Sequence, residues 1–445
     1  MGRHAVASAL VTLLLFGLTA TTVVSLRQAA LARDQAAIAT TESSKARQLN
    51  RFLTGMLSSA SPSWFNPSSN SASSITVRQV LDGASSKIAA DLGGTPAVEA
   101  EMRRTLGRTY LELGDLASAK LHFDRALELY EAQHDAFGVA FTQMLLGELE
   151  LVTGDYSAAE KWAREALAYV RSPGPTPADP ELHMLVANDL AVAITGRLPG
   201  NAEAIALQRE AIAVCDRNGM SRSAAAIGVS NLAMNLFNAG RLDEAEQATR
   251  DALRRMDALS PPPTERFGTM NNLSIMLRIK GQAAEAERLS AAAVVGASQV
   301  FEPAHPDHAP IGATWGRALT AVGDLGKADT VLTTAYRTWR KSRPADHPQL
   351  LNTLTGLGVV QRLQGRLGTS ERTLREAHAI AVRYPNLKER GADVAGELGL
   401  TLRARGQTDE AEGLLRQSYD TLLEIFGASH PLTQKAKARV DGETR

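Results

Sequence analysis

One short pattern of small and apolar residues returns eight times along this chain at a nearly fixed interval, and it limits the fold more than any other feature. The first copy is Leu106-Gly107-Arg108-Thr109-Tyr110, then Gly114-Asp115, Ala119, Phe123 and Ala126. Later copies begin at Leu146-Gly147, Leu190-Ala191, Leu232-Ala233, Leu273-Ser274, Trp315-Gly316, Leu357-Gly358 and Leu398-Gly399. The intervals are 40, 44, 42, 41, 42, 42 and 41 residues. Within each copy the spacing is helical on both sides of a glycine, which suits a left-handed helix end because it lacks a Cβ. Asp115 can cap the helix that follows, and the small residues let two helices approach closely. A unit of this size cannot bury its own apolar face, so the copies must stack. The reading is all-α: a right-handed α-solenoid of about eight antiparallel helix pairs, preceded by one transmembrane helix.

These positions (Leu106, Gly107, Tyr110, Gly114, Ala119, Phe123 and Ala126) match the signature of the tetratricopeptide repeat. The interval near 42 residues, with Asn-Leu-Ala-like and His-Pro elements, resembles the longer kinesin-light-chain type of repeat. The resemblance spans roughly residues 96–440.

Composition agrees with helix-on-helix packing. Aromatic residues are only 5%, so small residues must make the contacts. The 48 basic and 48 acidic residues cancel, which gives no basic surface for nucleic acid. One cysteine, Cys215, excludes an intrachain disulfide and a Cys-based zinc site. Among Ala211, Ile212 and Val214 it reads as a small buried hydrophobe.

Taken in order, residues 1–26 read as a membrane anchor. Ala5 to Leu26 carry no charge, and at about 1.5 Å per residue they can cross a core of roughly 30 Å. A cleaved signal peptide ending at Ala30-Leu31-Ala32 is the rival reading, disfavoured by the length of the apolar run. Arg3 before the segment and Arg27 and Arg33 after it nearly balance the positive-inside rule. The expected placement is the cytoplasmic membrane with the repeats outside it; a cytosolic-facing scaffold is the opposite orientation. Residues 27–57 read as a juxtamembrane helix, 58–75 as a Ser-rich linker, and 76–95 as an N-terminal capping helix with apolar positions at Val77, Val80, Leu81, Ile88 and Leu92. The repeat solenoid occupies 96–431, and 432–445 form a C-terminal capping helix and tail.

His305-Pro306-Asp307-His308 has the look of a metal pair, but His-Pro recurs at His347-Pro348 and His430-Pro431 in phase with the repeat. A feature in phase with the fold is structural, and Pro suits a helix entry. No phosphate-binding glycine loop, Ser-His-Asp set or paired carboxylates can be picked out. Neither enzyme activity nor a cofactor or metal is expected.

In the tetratricopeptide family the first helix of each pair lines a concave face. Residues two before, two after and five after the signature Leu point inward. The resemblance therefore places Asn188, Asn231, Asn271 and Asn272 in or beside the groove, where an amide can grip the backbone of an extended peptide. The equally weighted alternative is that these residues tie one helix to the next. Arg278, Arg362 and Arg403 lie five after their signature Leu, and Arg317 two after Trp315. Such a stripe favours an acidic or carboxylate-bearing ligand; the competing reading pairs the arginines with acids such as Glu285 or Asp329.

A second resemblance is broader. An apolar segment, then Phe52-Leu53, then Thr76-Val77-Arg78-Gln79-Val80-Leu81-Asp82-Gly83-Ala84, then these repeats, looks like the C-terminal half of bacterial membrane serine/threonine protein kinases. The kinase motifs themselves are not in the sequence, so kinase activity is not carried over. What the resemblance implies is a kinase-linked sensor and interaction module whose partner is a protein or peptide, or the regulatory subunit of a kinase encoded separately.

Overall fold

The computed structural model describes residues 27–28, 76–92, 94–172, 179–220, 222–302, 305–385 and 387–443. The expected anchor, juxtamembrane helix and Ser-rich linker lie outside these residues, apart from residues 27–28. The described residues form eighteen helices and no strand. The first is α1 (Val77–Leu92). Eight pairs follow: α2 (Pro96–Glu112) with α3 (Leu116–Ala132), α4 (Ala136–Thr153) with α5 (Tyr156–Arg171), and α6 (Pro180–Arg197) with α7 (Ala202–Asn218). Next come α8 (Arg222–Asn238) with α9 (Leu242–Asp257), α10 (Glu265–Ile279) with α11 (Ala283–Val300), and α12 (His308–Val322) with α13 (Leu325–Ser342). The last pairs are α14 (Leu350–Leu363) with α15 (Leu367–Arg383) and α16 (Lys388–Ala404) with α17 (Thr408–Phe426), and α18 (Pro431–Val440) closes the series.

The repeat signature explains the pairs. All eight signature glycines, from Gly114 to Gly406, have positive φ between 73° and 91°, a region that costs an L-residue its Cβ contact. Asp115, Asp155 and Asp324 then cap the second helix, accepting from the N–H of Ser118, Ala158 and Lys327. Ala119, Ala126, Ala245, Ala252, Ala286, Ala293 and Ala328 are fully buried between the two helices. The small residue after the signature Leu has the same purpose: a Cβ on Gly107 would stand 2.6 Å from the Phe123 ring. Where serine replaces alanine, its hydroxyl donates across the pair to a carbonyl, as from Ser370 to Gly358 at 2.7 Å.

The chain divides into two compact units, residues 1–145 and 146–445. In the smaller, α1 packs on the first pair through Leu81, Ala84, Ile88 and Leu92, while Val77 is solvent-exposed, contrary to its place in the apolar pattern. Polar contacts fix this helix: Tyr110 Oη donates to Asp82 at 2.7 Å and Arg78 pairs with Asp115 at 2.5 Å. Of the described helices, α4 alone is apolar and long enough to cross a membrane by composition, and here it is the first helix of a packed pair with Leu145, Leu146 and Leu149 buried.

In the larger unit the series returns on itself. Leu432 and Ala436 of α18 pack on Ala392, Tyr419, Leu422 and Phe426 of the preceding pair. Leu432 also reaches the cluster of Leu236, Phe237 and Met276 on α8 and α10. His430 Nε2 donates to the carbonyl of Phe237 at 3.0 Å, across 193 residues. The three His-Pro elements share one geometry. Each imidazole Nδ1 accepts the N–H two residues on, in Asp307, Gln349 and Leu432, at 3.2–3.3 Å. Each ring lies on an aromatic side chain, Phe301, Trp339 or Phe426. All three stand at helix entries, and His430 is itself the N-cap of α18.

Candidate functional site

The concave face of the larger unit is built by the first helices of successive pairs, α6 to α16, with α18 set against them. Its most polar region is a charge network at the C-terminal side. Arg317 donates to Asn352 Oδ1 at 2.6 Å and to Asp393 at 2.8 Å. Arg362 pairs with Glu397 at 3.1 Å, and Arg439 of α18 pairs with Glu397 and reaches Asp393 at 3.7 Å. Arg403 donates to the carbonyl of Arg439 at 2.8 Å. Two glycines make room: a Cβ on Gly396 would collide with the Arg439 guanidinium, and one on Gly356 would stand 3.1 Å from Arg317 Cγ.

The electrostatics follow from this wiring. Burial works against ionisation of Asp393 and Glu397, but Arg317, Arg439 and Lys435 for the first, and Arg439, Lys435 and Arg362 for the second, outweigh it. Both carboxyls are held below their usual range. Burial likewise opposes the Arg317 charge, and Asp393 overcomes it. Arg278 differs. Among the described residues it has no hydrogen bond or ion pair; burial, then Arg317, lowers its pKa to about 10. Lys435, exposed on α18, makes no direct hydrogen bond or ion pair among the described residues; loss of hydration and Arg439 lower its pKa against the pull of Glu397 and Asp393.

Of the four stripe arginines, Arg317 meets Asp393, Arg362 meets Glu397 and Arg403 meets the Arg439 carbonyl, while Arg278 makes no direct hydrogen bond or ion pair among the described residues. Glu285 pairs with Arg250 and Asp329 with Arg366 instead. Neither Asp393 and Glu397 nor Lys435 and Arg439 stood out in the sequence, although a signal existed. Glu397 sits immediately before signature Leu398, the same column as Asn231 and Asn272, and Arg439 immediately before Val440.

The amides divide. Asn188 Oδ1 accepts from Gln208 at 3.2 Å and from Asn231 at 3.3 Å, so Asn188 and Asn231 join α6, α7 and α8. Asn271 Oδ1 is buried without a partner, and Asn272 is half-buried with no hydrogen bond among the described residues. Asp189, in the same column on α6, receives only the Asn188 amide at 3.1 Å. Burial pushes its carboxyl up to about 7, resisted by that amide and assisted by Glu148 of α4. Cys215 is buried, and burial raises its thiol pKa, so it has no thiolate character. A hollow of about 720 Å³ is lined in part by Arg403, Glu412, Arg416 and Asp420.

Models of the tetratricopeptide repeat match residues 98–172 and 310–381, 268–307 and 392–432, and 227–251, together more than half of the chain. The chain belongs to the tetratricopeptide-repeat proteins. Among solved structures, this repeat protein is similar to the apo form of the quorum sensor NprR from B. thuringiensis, with a TM-score of 0.59 and 11% identity over 86% of this chain and 99% of that one. The Rap conjugation gene regulator of plasmid pLS20, solved in complex with the Phr peptide, gives 0.53 and 16% over 79% and 96%. The apo form of RapI gives 0.52 and 14% over 77% and 98%. At these identities the likeness is one of fold. No curated protein is significantly similar in sequence.

Proposed function

We propose that the protein is a non-catalytic recognition module that holds a peptide, or an extended segment of a partner protein, in the concave groove of its larger unit. The observation that carries this reading is the set of groove side chains that find no direct partner among the described residues: the Asn272 amide, the Asn271 oxygen and the Arg278 guanidinium. Buried or half-buried polar groups are normally paired within the chain, so a ligand is the natural partner for those that are not. The Rap regulator of the same fold, whose structure contains a peptide, supports the reading by analogy.

Residues 5–26 tether the module to the cytoplasmic membrane, with the repeats on the outer side, and the module serves kinase-linked signalling. The support is the uncharged length of that segment and the resemblance of residues 52–84 to membrane kinases. Two experiments test these statements. A photo-crosslinking side chain at Met234, on the groove face of α8, is expected to capture a peptide or one defined partner segment in cells, while the same probe at exposed Val382 is not; equal capture at both sites defeats the groove reading. A reporter active only outside the cytoplasm, fused after Arg445, is expected to be active in the membrane fraction, and an inactive fusion reverses the orientation.

A further inference from the structure

We propose that the exposed face of α17 docks a helix of another protein, one that opens with the pattern Arg/Lys-Gly-x-x-x-Glu. The inference is independent of the groove reading above.

Second helices of neighbouring pairs are joined by the same four charges at three places in the larger unit. Between α5 and α7, Glu160 meets Arg197, and Arg164 bridges Glu160 and Glu203, each at 2.8 Å. Between α9 and α11, Glu246 meets Lys280 at 2.5 Å, and Arg250 bridges Glu246 at 2.9 Å and Glu285 at 2.7 Å. Between α15 and α17, Glu371 meets Arg405, and Arg375 bridges Glu371 at 2.9 Å and Glu410 at 2.8 Å. The earlier helix always supplies a Glu and an Arg, fourteen and eighteen residues after its signature Leu. The later pair supplies a cation before its second helix and a Glu on that helix's first turn. At two of the three joints these stand as Lys280-Gly281 with Glu285 and Arg405-Gly406 with Glu410.

The first half of this joint recurs on α17. Glu412 and Arg416 hold the same two positions, both are exposed, and neither makes a hydrogen bond or ion pair among the described residues. The described residues supply no further second helix to cover them. α18 stops at Val440, its signature position, whereas α10, α14 and α16 run six residues past theirs. The hollow of about 720 Å³ opens here, lined by Glu412, Arg416 and Asp420 of α17 and by Val440. Gly413, exposed with open space around it, lets a helix backbone come close.

The charges choose the occupant. The exposed strip of α17 carries Asp409, Glu412 and Asp420 against Arg416, so the same strip on a second copy repels it. Head-to-tail stacking of copies also lacks the complement, because the first pair has Leu113 and Ser118 where the cation and the Glu belong. A foreign helix that brings a cation to Glu412 and a carboxylate to Arg416 completes the joint. Exposed pairs of this kind are worth little singly, so their effect is to select the partner and fix its register.

The test uses the full chain in detergent micelles and a labelled synthetic peptide of residues 403–426, which carries Arg405 and Glu410 and is held helical by a lactam bridge. Fluorescence anisotropy is expected to show saturable binding at one site. Arg416→Glu in the chain is expected to weaken it about tenfold, the equivalent of about 1.4 kcal/mol, and Glu410→Arg in the peptide to do the same. The two changes together are expected to restore binding, as are Glu412→Arg in the chain and Arg405→Glu in the peptide. Thermal melting confirms that each variant is folded. Equal binding to the unaltered chain and to Arg416→Glu overturns the inference, since a peptide that displaced the chain's own α17 would meet Arg375 instead. Weakening that neither swap restores overturns the charge pairing, and no binding at all overturns the docking site. If light scattering shows the chain alone to be a dimer that Arg416→Glu separates, the occupant is a second copy and the choice of partner is overturned.

Discussion

Replacing Glu397 by glutamine keeps the shape of the side chain and removes one negative charge from the centre of the groove network. Glu397 is 5% exposed, and it meets Arg439 at 3% and Arg362. Lys435 stands nearby as a further cation. Removing one partner of a buried ion pair costs about 3–5 kcal/mol, because the surviving charge is left desolvated. Here two arginines survive, with only Asp393 to serve both. In a repeat array such a loss is felt first by the neighbouring elements, so local opening is the proper observable. Hydrogen exchange of α16 and α18 in Glu397→Gln is expected to accelerate by about 150- to 5000-fold, the range that corresponds to that energy, with α2 and α3 unchanged. Glu371→Gln is the control: its arginine partners, Arg375 and Arg405, are more than a third exposed, so its cost is expected near 1 kcal/mol after solvent screening. Adding Arg439→Gln to Glu397→Gln removes one orphaned charge and is expected to restore part of the protection. If Glu397→Gln costs under 1 kcal/mol, or the second substitution simply adds to the damage, the network is not a coupled buried unit.

Three further outcomes follow from other parts of the molecule. Gly107→Ala puts a methyl 2.6 Å from the buried Phe123 ring and is expected to cost about 1–3 kcal/mol by thermal melting, whereas Gly326→Ala, on an exposed helix face with open space around it, is expected to be neutral or stabilising. Asn188→Ala leaves the fully buried Gln208 amide and Asn231 without their acceptor and is expected to cost about 1–3 kcal/mol; Asn272→Ala, which breaks no hydrogen bond of the fold, is expected to stay within about 0.5 kcal/mol and to reduce capture by the crosslinking probe at Met234. His430 is held below the usual imidazole pKa because burial outweighs the pull of the Phe237 carbonyl. The unfolded state therefore binds the proton more readily, and stability is present above the unfolded pKa of about 6.5 and lost as pH falls below it. The protection factors of α18, which divide out the intrinsic pH dependence of exchange, are expected to fall between pH 7.5 and 5.5, and His430→Asn, which keeps an acceptor for Leu432 N–H, to flatten that response.

Individual residues show how far the sequence could be read. The pairs were legible because their causes are local: Gly240 or Gly365 permits a left-handed turn wherever it falls, and Ala245 or Ala377 permits close approach to whatever helix precedes it. The inter-repeat ion pairs, such as Arg164 with Glu203 and Arg375 with Glu410, recur near the repeat interval but were hidden among many solvated charges. The arginine stripe was legible as a position and not as a chemistry. Arg278 and Arg317 occupy comparable groove sites, yet Asp393, 76 residues from Arg317 along the chain, pairs directly with one and acts on the other only at longer range.

By itself the sequence determined the all-α architecture, the number of helix pairs, the turn glycines and the helix-entry role of the His-Pro elements, because each depends on interactions within one repeat or between neighbours. The tertiary structure alone decided which charges remain available. That α18 lies against α8, that His430 meets Phe237, and that Arg317 meets Asp393 depend on small rotations accumulated over the intervening pairs. Such rotations are set by packing at every interface in turn, and no single stretch of sequence carries their sum.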